Sequence, residues 1–310
     1  MCRAEVNIKS PQRVYSSLLA VLITLLLLTG CKSSEKLIKS SLPKEETRIS
    51  HNISLLNREM AGVSRVVHYD LYNGDIPESF DGTRIAFITD LHYPSYFKSK
   101  HLDSLVKSLD SLSCDILCLG GDFHEDESLI AELFEKLGSI NYPLGAYGVL
   151  GNNDYERGYD KVVVEMLKNN INCLEHQVDT IWKDKEFILM AGVRDPFNLE
   201  KNGVSPTLAL SEDDFVILIT HTPDYAEDVP ITNSDIVLAG HTHGGQVSLF
   251  GFAPVVPSKY DQRFLRGLVY NSKGIPMIVS NGIGTSTYDI RVGAPSEIVV
   301  VTLHSLRVAK

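Results

Sequence analysis

Short apolar runs alternate with amphipathic stretches along the chain from about residue 63 onward. Several of these runs contain four to six consecutive apolar residues, a pattern typical of strands that are buried on both faces. The pattern predicts strands at residues 64–72, 84–89, 115–119, 146–150, 187–191, 215–220, 235–239, 277–280 and 297–303.

Three stretches with helical periodicity lie between these strands, at residues 100–112, 127–137 and 159–170. Repetition of strand, helix and strand implies right-handed crossovers and a sheet with a parallel core. No internal repeat, low-complexity segment or linker interrupts the pattern. The sequence therefore predicts one α/β domain over residues 63–310.

The N-terminal part of the chain has a different pattern. Basic residues within 1–13 precede an apolar stretch at 14–28, which is the profile of a signal peptide. The stretch is short for a spanning helix, which needs about 20 apolar residues. It ends in the tetrapeptide LTGC at residues 28–31, which resembles the bacterial lipobox and implies that Cys31 is lipidated. The alternative is an uncleaved anchor helix with an incidental cysteine.

These features predict a lipoprotein signal peptide at residues 1–30, a polar tether at 31–62 and the globular domain at 63–310. A lipidated Cys31 would anchor the chain to a membrane through its acyl chains. The predicted location is the bacterial cell envelope, with the domain facing outside the cytoplasm. An uncleaved N-terminal helix would instead hold the chain in the inner membrane.

The amino-acid composition excludes several classes of protein. The chain has 310 residues, of which 44% are hydrophobic and 22% are charged, and these values exclude a disordered chain, a collagen and a multi-span membrane protein. Its formal net charge of −10 argues against nucleic acid as the main partner, because phosphate backbones are bound by clustered lysines and arginines. Cys114 and Cys118 lie about 13 Å apart along one predicted strand and cannot pair there, so we expect buried free thiols.

Polar residues able to bind metal ions follow five of the predicted strands directly. Open α/β sheets bind their ligands at the carboxyl ends of the strands. Carboxylate, imidazole and amide donors together suit Mn²⁺, Fe or Zn²⁺, and two such ions about 3.5–4 Å apart stabilise displacement at phosphorus. The candidate ligands are Asp90, His92, Asp122, Asn152, His221, His241 and His243.

The order of these motifs resembles that of the calcineurin-like metallophosphoesterase superfamily. Each short motif is weakly specific, but their occurrence in order at successive strand ends is a strong signal. The motifs are DxH at residues 90–92, GD at 121–122, GNxD at 151–154, a single His221, and GHxH at 240–243.

Further segments are similar to the membrane-associated bacterial branch, which includes relatives of UDP-2,3-diacylglucosamine pyrophosphatase. They are GHTHGGQ at 240–246, AGVRDP at 191–196 and the tail from residue 281. The resemblance covers about residues 63–304. It implies a four-layer α/β/β/α sandwich of two mixed sheets with a dinuclear site at its top.

The resemblance also implies roles for the candidate residues. Two divalent ions would be bridged by Asp122, and a hydroxide between them would attack phosphorus. Asn153 and His243 would be the catalytic residues. The remaining ligands would be Asp90, His92 and His243 for one ion, and Asn152, His221 and His241 for the other.

Asn153 departs from the family pattern, which usually has a histidine at this position. An amide can donate a hydrogen bond but cannot deliver a proton, and general acid catalysis typically contributes 10²–10⁴-fold. Leaving groups of low pKa need this help least, so phosphodiesters and pyrophosphates are favoured over alkyl monoesters. His124 is a candidate replacement donor, although a solvated loop histidine is favoured. Glu125 is assigned no role.

The favoured function is hydrolysis of a phosphodiester or pyrophosphate bond on a lipid-linked or envelope substrate. UDP-linked lipid A precursors are made on the cytoplasmic side, so a lipidated Cys31 would favour another envelope lipid or an extracytoplasmic phosphodiester. A lipoprotein whose metal site has no turnover and a phosphomonoesterase are the alternatives. Asp154 is expected to hold its loop. Arg291 is expected to meet a substrate phosphate or form a structural ion pair, and no protein partner is indicated.

Overall fold

A computed structural model describes residues 47–55, 63–95, 97–199 and 203–307 of the chain. All of these residues belong to one unit by their contacts. Cys31, the predicted signal peptide and most of the predicted tether lie outside the described residues. Within the described ranges, no helix combines the length and the apolar character needed to cross a membrane.

The strands are numbered in chain order and form two sheets. The first sheet contains β1 (Arg48–Leu55), β2 (Arg65–Asn73), β3 (Arg84–Ile88), β4 (Ile116–Leu119), β5 (Ala146–Gly148), β6 (Ile171–Cys173) and β13 (Glu297–Ser305). Their spatial order is β1-β2-β13-β3-β4-β5-β6. Parallel pairing joins β3 to β6 in succession and β2 to β13, whereas β1 pairs with β2, and β13 with β3, in antiparallel fashion.

The second sheet contains β7 (Gln177–Lys183), β8 (Glu186–Gly192), β9 (Val216–Thr220), β10 (Ile236–Ala239), β11 (Gly267–Tyr270) and β12 (Pro276–Val279). Their spatial order is β11-β12-β10-β9-β8-β7. The four central strands are parallel, and β7 and β11 pair with them in antiparallel fashion. Both sheets are therefore mixed, in agreement with the α/β class expected from the sequence.

The described helices are short and lie on the outer faces of the sheets or in the loops between strands. They are α1 (Ser99–Leu112), α2 (Ile130–Gly138), α3 (Asn152–Glu156), α4 (Tyr159–Lys168) and α5 (Tyr225–Asp228). Further 3₁₀ turns occupy Glu78–Phe80, Glu127–Leu129, His243–Gly245 and Asp261–Phe264.

Three apolar clusters separate the layers of the fold. One packs α1, α2 and α4 against the first sheet, the second lies between the two sheets, and the third packs α5 and the turn at Phe264 against the second sheet. In β3, Ala86 and Ile88 face the first cluster, while Ile85 and Phe87 face the second. Successive side chains of a strand point to opposite faces, so a continuous apolar run is needed where both faces are covered.

All nine predicted strands and all three predicted helices are confirmed, with ends that differ by a few residues. The predicted helix at 127–137 begins as a 3₁₀ turn. Asp126 caps that turn by accepting a hydrogen bond from the backbone amide of Ser128. Cys114 and Cys118 are buried free thiols, as predicted.

Strand β1 was not expected, because its residues fall within the predicted tether. Its side chains are almost all exposed, so the strand carries no apolar periodicity. It is held by eight antiparallel residue pairs with β2, which depend on backbone groups rather than on side chains. The first sheet therefore includes Arg48–Leu55, part of the segment that the sequence pattern assigns to the tether.

Candidate metal centre

The candidate ligands come from loops that follow β3, β4, β5, β9 and β10. These are neighbouring parallel strands at the centres of the two sheets, so their carboxyl ends meet at one edge of the sandwich. Hydrogen bonds join the loops across the sheets. The His241 amide donates to Asp90 Oδ2 at 3.0 Å, and the His221 Nδ1 group donates to the Gly120 carbonyl at 2.7 Å.

The first group of potential ligands contains Asp90, His92 and His243, all of them buried. The His92 and His243 Nε2 atoms are 3.2 Å apart, and His243 Nε2 is 3.4 Å from Asp90 Oδ1. Two imidazoles and one carboxylate thus direct a donor atom toward a common point.

The second group contains Asp122, His221 and His241. His241 Nδ1 lies 3.2 Å from His221 Nε2. The same His221 nitrogen lies 3.4 Å from Asp122 Oδ2. Both groups have the mixed nitrogen and oxygen donors that suit first-row divalent ions.

Asp122 lies between the two groups. Its Oδ2 atom is 3.4 Å from His221 Nε2 and 3.5 Å from His92 Nε2, so one carboxylate oxygen faces a nitrogen of each group. Its Oδ1 atom accepts a hydrogen bond of 2.9 Å from the backbone amide of Asn153. The predicted bridging role of Asp122 stays a prediction that these distances allow.

Asn152 supplies an unsatisfied acceptor. Its Nδ2 group donates to Asn153 Oδ1 at 3.0 Å, which fixes the orientation of the amide. Its Oδ1 atom is buried and has no hydrogen-bond partner among the described residues. A buried carbonyl oxygen without a partner is costly. The orphaned oxygen is chemically suited to a metal ion, and the ligand role of Asn152 stays a prediction.

The protonation of the histidines decides which of them can accept a metal ion. Burial alone would lower the pKa of the His221 imidazole, but Asp122 beside it raises that pKa to about 9. Burial and the nearby His221 lower the pKa of His241 to about 3, and burial keeps the pKa of His243 well below its ordinary value. The imidazoles of His241 and His243 are thus neutral, with lone pairs available for a metal ion, whereas His221 would have to release its Nε2 proton to bind one.

Glu125 contacts His92 and was missed by the sequence reasoning. The His92 Nδ1 group donates to Glu125 Oε1 at 2.6 Å, so the other ring nitrogen faces the site. Asn153 Nδ2 donates to the same oxygen at 2.9 Å. Carboxylates that orient a histidine ligand in this way typically contribute 10–100-fold to metal affinity. The spacing from Asp122 was the available signal, but the side chain's target could not be identified from the sequence.

Replacing Glu125 with alanine should weaken Mn²⁺ binding by about 10–100-fold, as measured by calorimetric titration. Glu125→Gln keeps an oxygen that can accept a hydrogen bond from His92. Its Mn²⁺ affinity should lie between those of Glu125→Ala and the wild type. Glu127→Ala removes an exposed carboxylate from the same loop and should leave the affinity unchanged. Equal affinities for Glu125→Ala and Glu127→Ala would contradict the orienting role.

The sequence predicted the role of Asp154 correctly but not the surroundings of His124. Asp154 accepts hydrogen bonds from the backbone amides of Asp122, Phe123 and Gly151, so it holds the loops together as expected. The interpretation of His124 as a solvated loop residue was wrong: the side chain is buried and its Nε2 group donates to the Arg157 carbonyl at 2.9 Å. That bond occupies one ring nitrogen, and the other, Nδ1, has no hydrogen-bond partner among the described residues.

Arg291 donates to the carbonyls of Gly284, Asn281 and Ala294. These bonds hold the guanidinium in a structural position beside His243, where its Nη1 group lies 3.3 Å from the His243 carbonyl. Backbone carbonyls thus bind much of the guanidinium, and the expected contact with a substrate phosphate or an acidic side chain stays a prediction.

Phe197 covers one side of the second ligand group. Its ring centroid is 4.9 Å from that of His241. The ring also borders a cavity of about 340 Å³ whose lining includes Leu199, Thr222 and Lys259. Ligand pockets usually enclose about 300–1,000 Å³, so this cavity has the volume of a small ligand pocket, although none of the candidate ligands lines it.

Gly121 lets the loops after β4 and β5 approach closely. Its φ is +91°, and an added Cβ would lie 2.3 Å from the Gly151 nitrogen. Gly82 has a similar φ of +76° but has open space around it. Gly82→Ala should cost about 1–2 kcal/mol from backbone strain alone, whereas Gly121→Ala should cost about 1–3 kcal/mol more because of the overlap. Chemical denaturation of both variants measures the difference, and equal losses would contradict the close approach.

Comparison with known proteins places this arrangement in a family. The sequence model of the calcineurin-like phosphoesterases matches residues 83–245, a range that contains every candidate ligand. An uncharacterized metallophosphoesterase of Campylobacter jejuni is 31% identical over 236 residues, which cover 74% of this chain and 61% of the relative. One from Bacillus subtilis is 29% identical over 243 residues, covering 74% of this chain and 82% of the relative.

Among solved structures, a phosphopantetheinyl hydrolase from Mycobacterium tuberculosis is similar at 14% identity and a TM-score of 0.41, covering 66% of this chain and 91% of that one. A likeness at this level supports no statement about activity. The family match spans more than half of the chain and is therefore stronger evidence than this structural likeness. The chain therefore belongs to the calcineurin-like phosphoesterase family.

Proposed function

We propose that the chain hydrolyses a phosphodiester or pyrophosphate bond at a centre of two divalent ions, on a lipid-linked or other envelope substrate. The observation that carries the proposal is the position of Asp122, whose Oδ2 atom faces a histidine nitrogen of each ligand group. A carboxylate between two groups of donors is what a pair of ions requires. Asp90, His92 and His243 would hold one ion, and Asn152, His221 and His241 the other.

Two ions bound there would neutralise the charge of the phosphoryl oxygens and lower the pKa of a water molecule. The protein's own part is to orient the phosphoester. The orphaned Asn152 oxygen and the neutral imidazole of His241 are held in place before any substrate arrives. The cavity beside Phe197 would receive the group attached to the phosphate.

Asn153 supports the preference for diesters and pyrophosphates. Its Nδ2 group carries two hydrogens, one of which is donated to Glu125 Oε1. The same nitrogen lies 3.2 Å from His92 Nδ1. A hydrogen of this group can bind a phosphoryl oxygen, but an amide releases no proton to a leaving group. A substrate whose leaving group has a low pKa needs no such proton.

The location outside the cytoplasm is part of the proposal. It depends on the predicted lipidation of Cys31, because the membrane would then lie within reach of the domain. An envelope lipid or another extracytoplasmic phosphodiester is the substrate class that this location supports.

The direct test uses the full chain, purified in mild detergent and supplied with Mn²⁺, Fe²⁺ or Zn²⁺. We expect cleavage of bis(p-nitrophenyl) phosphate that is faster than release of phosphate from glycerol 2-phosphate. Protein that binds the metals but cleaves neither compound would favour a metal site without turnover. Faster cleavage of the monoester would favour a phosphomonoesterase.

Replacing Asn153 with histidine should raise the ratio of monoester to diester hydrolysis by about 10-fold or more, because a general acid typically contributes 10²–10⁴-fold. Asn172→His places the same side chain on an exposed part of β6 and should leave the ratio unchanged. Steady-state rates on the two compounds give the ratio. No change in Asn153→His would remove the basis for preferring diesters.

A further inference from the structure

The segment after His243 forms a projecting hairpin, residues 247–256, which we call the apolar hairpin. Leu249 and Phe252 exchange both backbone hydrogen bonds, at 2.9 and 3.0 Å, so Phe250 and Gly251 form a two-residue turn. Both turn residues have positive φ, at 51° and 86°. Such turns match the twist of a hairpin and favour asparagine, aspartate or glycine.

Phe250 is an unfavourable residue for this turn. Bulky side chains rarely adopt positive φ, and the Phe250 side chain gains no packing in return, with a relative exposure of 109%. Neither the turn geometry nor the core accounts for a phenylalanine here. Strained positions of this kind are often associated with function, so the ring is expected to contact something outside the described fold.

The apolar hairpin carries no charged side chain of its own, although Arg266 donates to Ser248 Oγ and the neighbouring segment contains the exposed Asp289. Leu249 and Phe252 are 57% and 60% exposed, and residues 246–257 contain no charged side chain. Val247 forms a backbone bridge with Val292, which extends the surface to a second segment. Exposed apolar patches of this kind mark sites of protein or membrane interaction. The other exposed apolar side chains of these two segments are Val255, Tyr288, Ile290 and Val292.

The apolar hairpin is fixed beside the metal centre. The Gln246 amide donates to the His243 carbonyl at 2.9 Å, and its side chain donates to the Ser286 and Tyr288 carbonyls. At the other end, Gln262 bonds both the amide and the carbonyl of Ala253. The projecting ring is therefore held at a constant position relative to the ligands.

We propose that the apolar hairpin inserts into a lipid bilayer and thereby presents the metal centre to phosphoesters at the membrane surface. The substrate class rests on the proposed function, and the choice of a bilayer rests on the predicted anchor. Residues 32–47 separate Cys31 from β1, and such a segment spans at most about 55 Å when extended. A lipidated Cys31 would therefore keep the domain close to the membrane.

Charge limits which face of the domain can approach a bilayer. The chain has a net charge of −10, so most of its surface would be repelled by anionic lipids. The apolar hairpin offers a face without acidic residues, and aromatic side chains such as Phe250 favour the boundary between head groups and acyl chains. A convex tip of this kind can enter a fluid layer without a preformed partner surface.

Tryptophan fluorescence of the full chain in vesicles tests the insertion. The chain has one tryptophan, Trp182, which is 60% exposed on β7 at the far edge of the second sheet. In a Trp182→Phe background, Phe250→Trp places the fluorophore at the tip. Vesicles of phosphatidylcholine and phosphatidylglycerol containing dibrominated phosphatidylcholine should blue-shift and quench its emission. The wild-type chain, which reports from Trp182, should be quenched much less.

Phe252→Trp in the same background provides a second reporter and should be quenched as well. Quenching at neither position, or a chain that does not float with the vesicles, would overturn the proposal. A blue shift without bromine quenching would also overturn it, since it would indicate a protein surface or a second copy of the chain. The measurement needs no turnover, so quenching by a chain that cleaves no phosphoester would reject only the proposed function.

Discussion

Asp122→Asn should reduce hydrolysis of bis(p-nitrophenyl) phosphate by about 10²–10³-fold, the loss typical of removing one preorganised hydrogen-bonding group from a reaction centre. The wild-type Asp122 Oδ2 atom faces both His92 and His221. Asparagine keeps the size of the side chain but removes its charge. A neutral amide cannot balance two divalent ions at once, so both the affinity and the rate should fall.

Asp126→Asn is the matched control for this change. Asp126 lies four residues away on an exposed loop and caps a turn through Ser128, and asparagine caps about as well as aspartate. The control variant should keep the wild-type rate. Steady-state kinetics at saturating Mn²⁺ compare the two variants. Similar rates for Asp122→Asn and the wild type would exclude a bridging role for Asp122.

Removal of bound metal should abolish hydrolysis and lower the melting temperature by about 5–10 °C. The estimate combines about 2.7 kcal/mol for a ligand at 100 times its Kd with about 2–4 °C per kcal/mol for a domain of this size. Without cations the site buries Asp90 close to Asp122, and burial together with Asp122 raises the pKa of Asp90. Bound ions would relieve the repulsion between these two carboxylates.

Differential scanning fluorimetry with and without a chelator measures the shift. Added Mn²⁺ should restore both the melting temperature and the activity. The Asp122→Asn variant should show a smaller shift, since it binds metal less tightly. A melting temperature that does not respond to the chelator in the wild type would contradict metal binding at these residues.

The sequence located the strands that are covered on both faces but not those that are exposed at an edge. In β9, Ile217 and Ile219 face one cluster while Val216 and Leu218 face another, so burial on both sides requires an unbroken apolar run. Strands β1 and β7 lie at the edges of their sheets. Backbone pairing holds them, and backbone pairing leaves little trace in the side chains.

The candidate ligands could be predicted because their chemistry and their position coincide. Each of them follows a strand whose pattern is clear, and parallel strands deliver their carboxyl ends to one edge. Glu125 and Phe197 could not be assigned in this way, because their contacts with His92 and His241 depend on where loops fold. The apolar hairpin likewise has no periodicity that separates it from a core strand.

Anomalous diffraction from crystals soaked in Mn²⁺ tests the central claim most directly. We expect two manganese peaks about 3.5–4 Å apart, as in other paired-ion centres. One peak should lie among Asp90, His92 and His243, the other between His221 and His241, with Asp122 between the two. A single peak, or peaks away from these residues, would contradict a dinuclear centre and the phosphoesterase mechanism built on it.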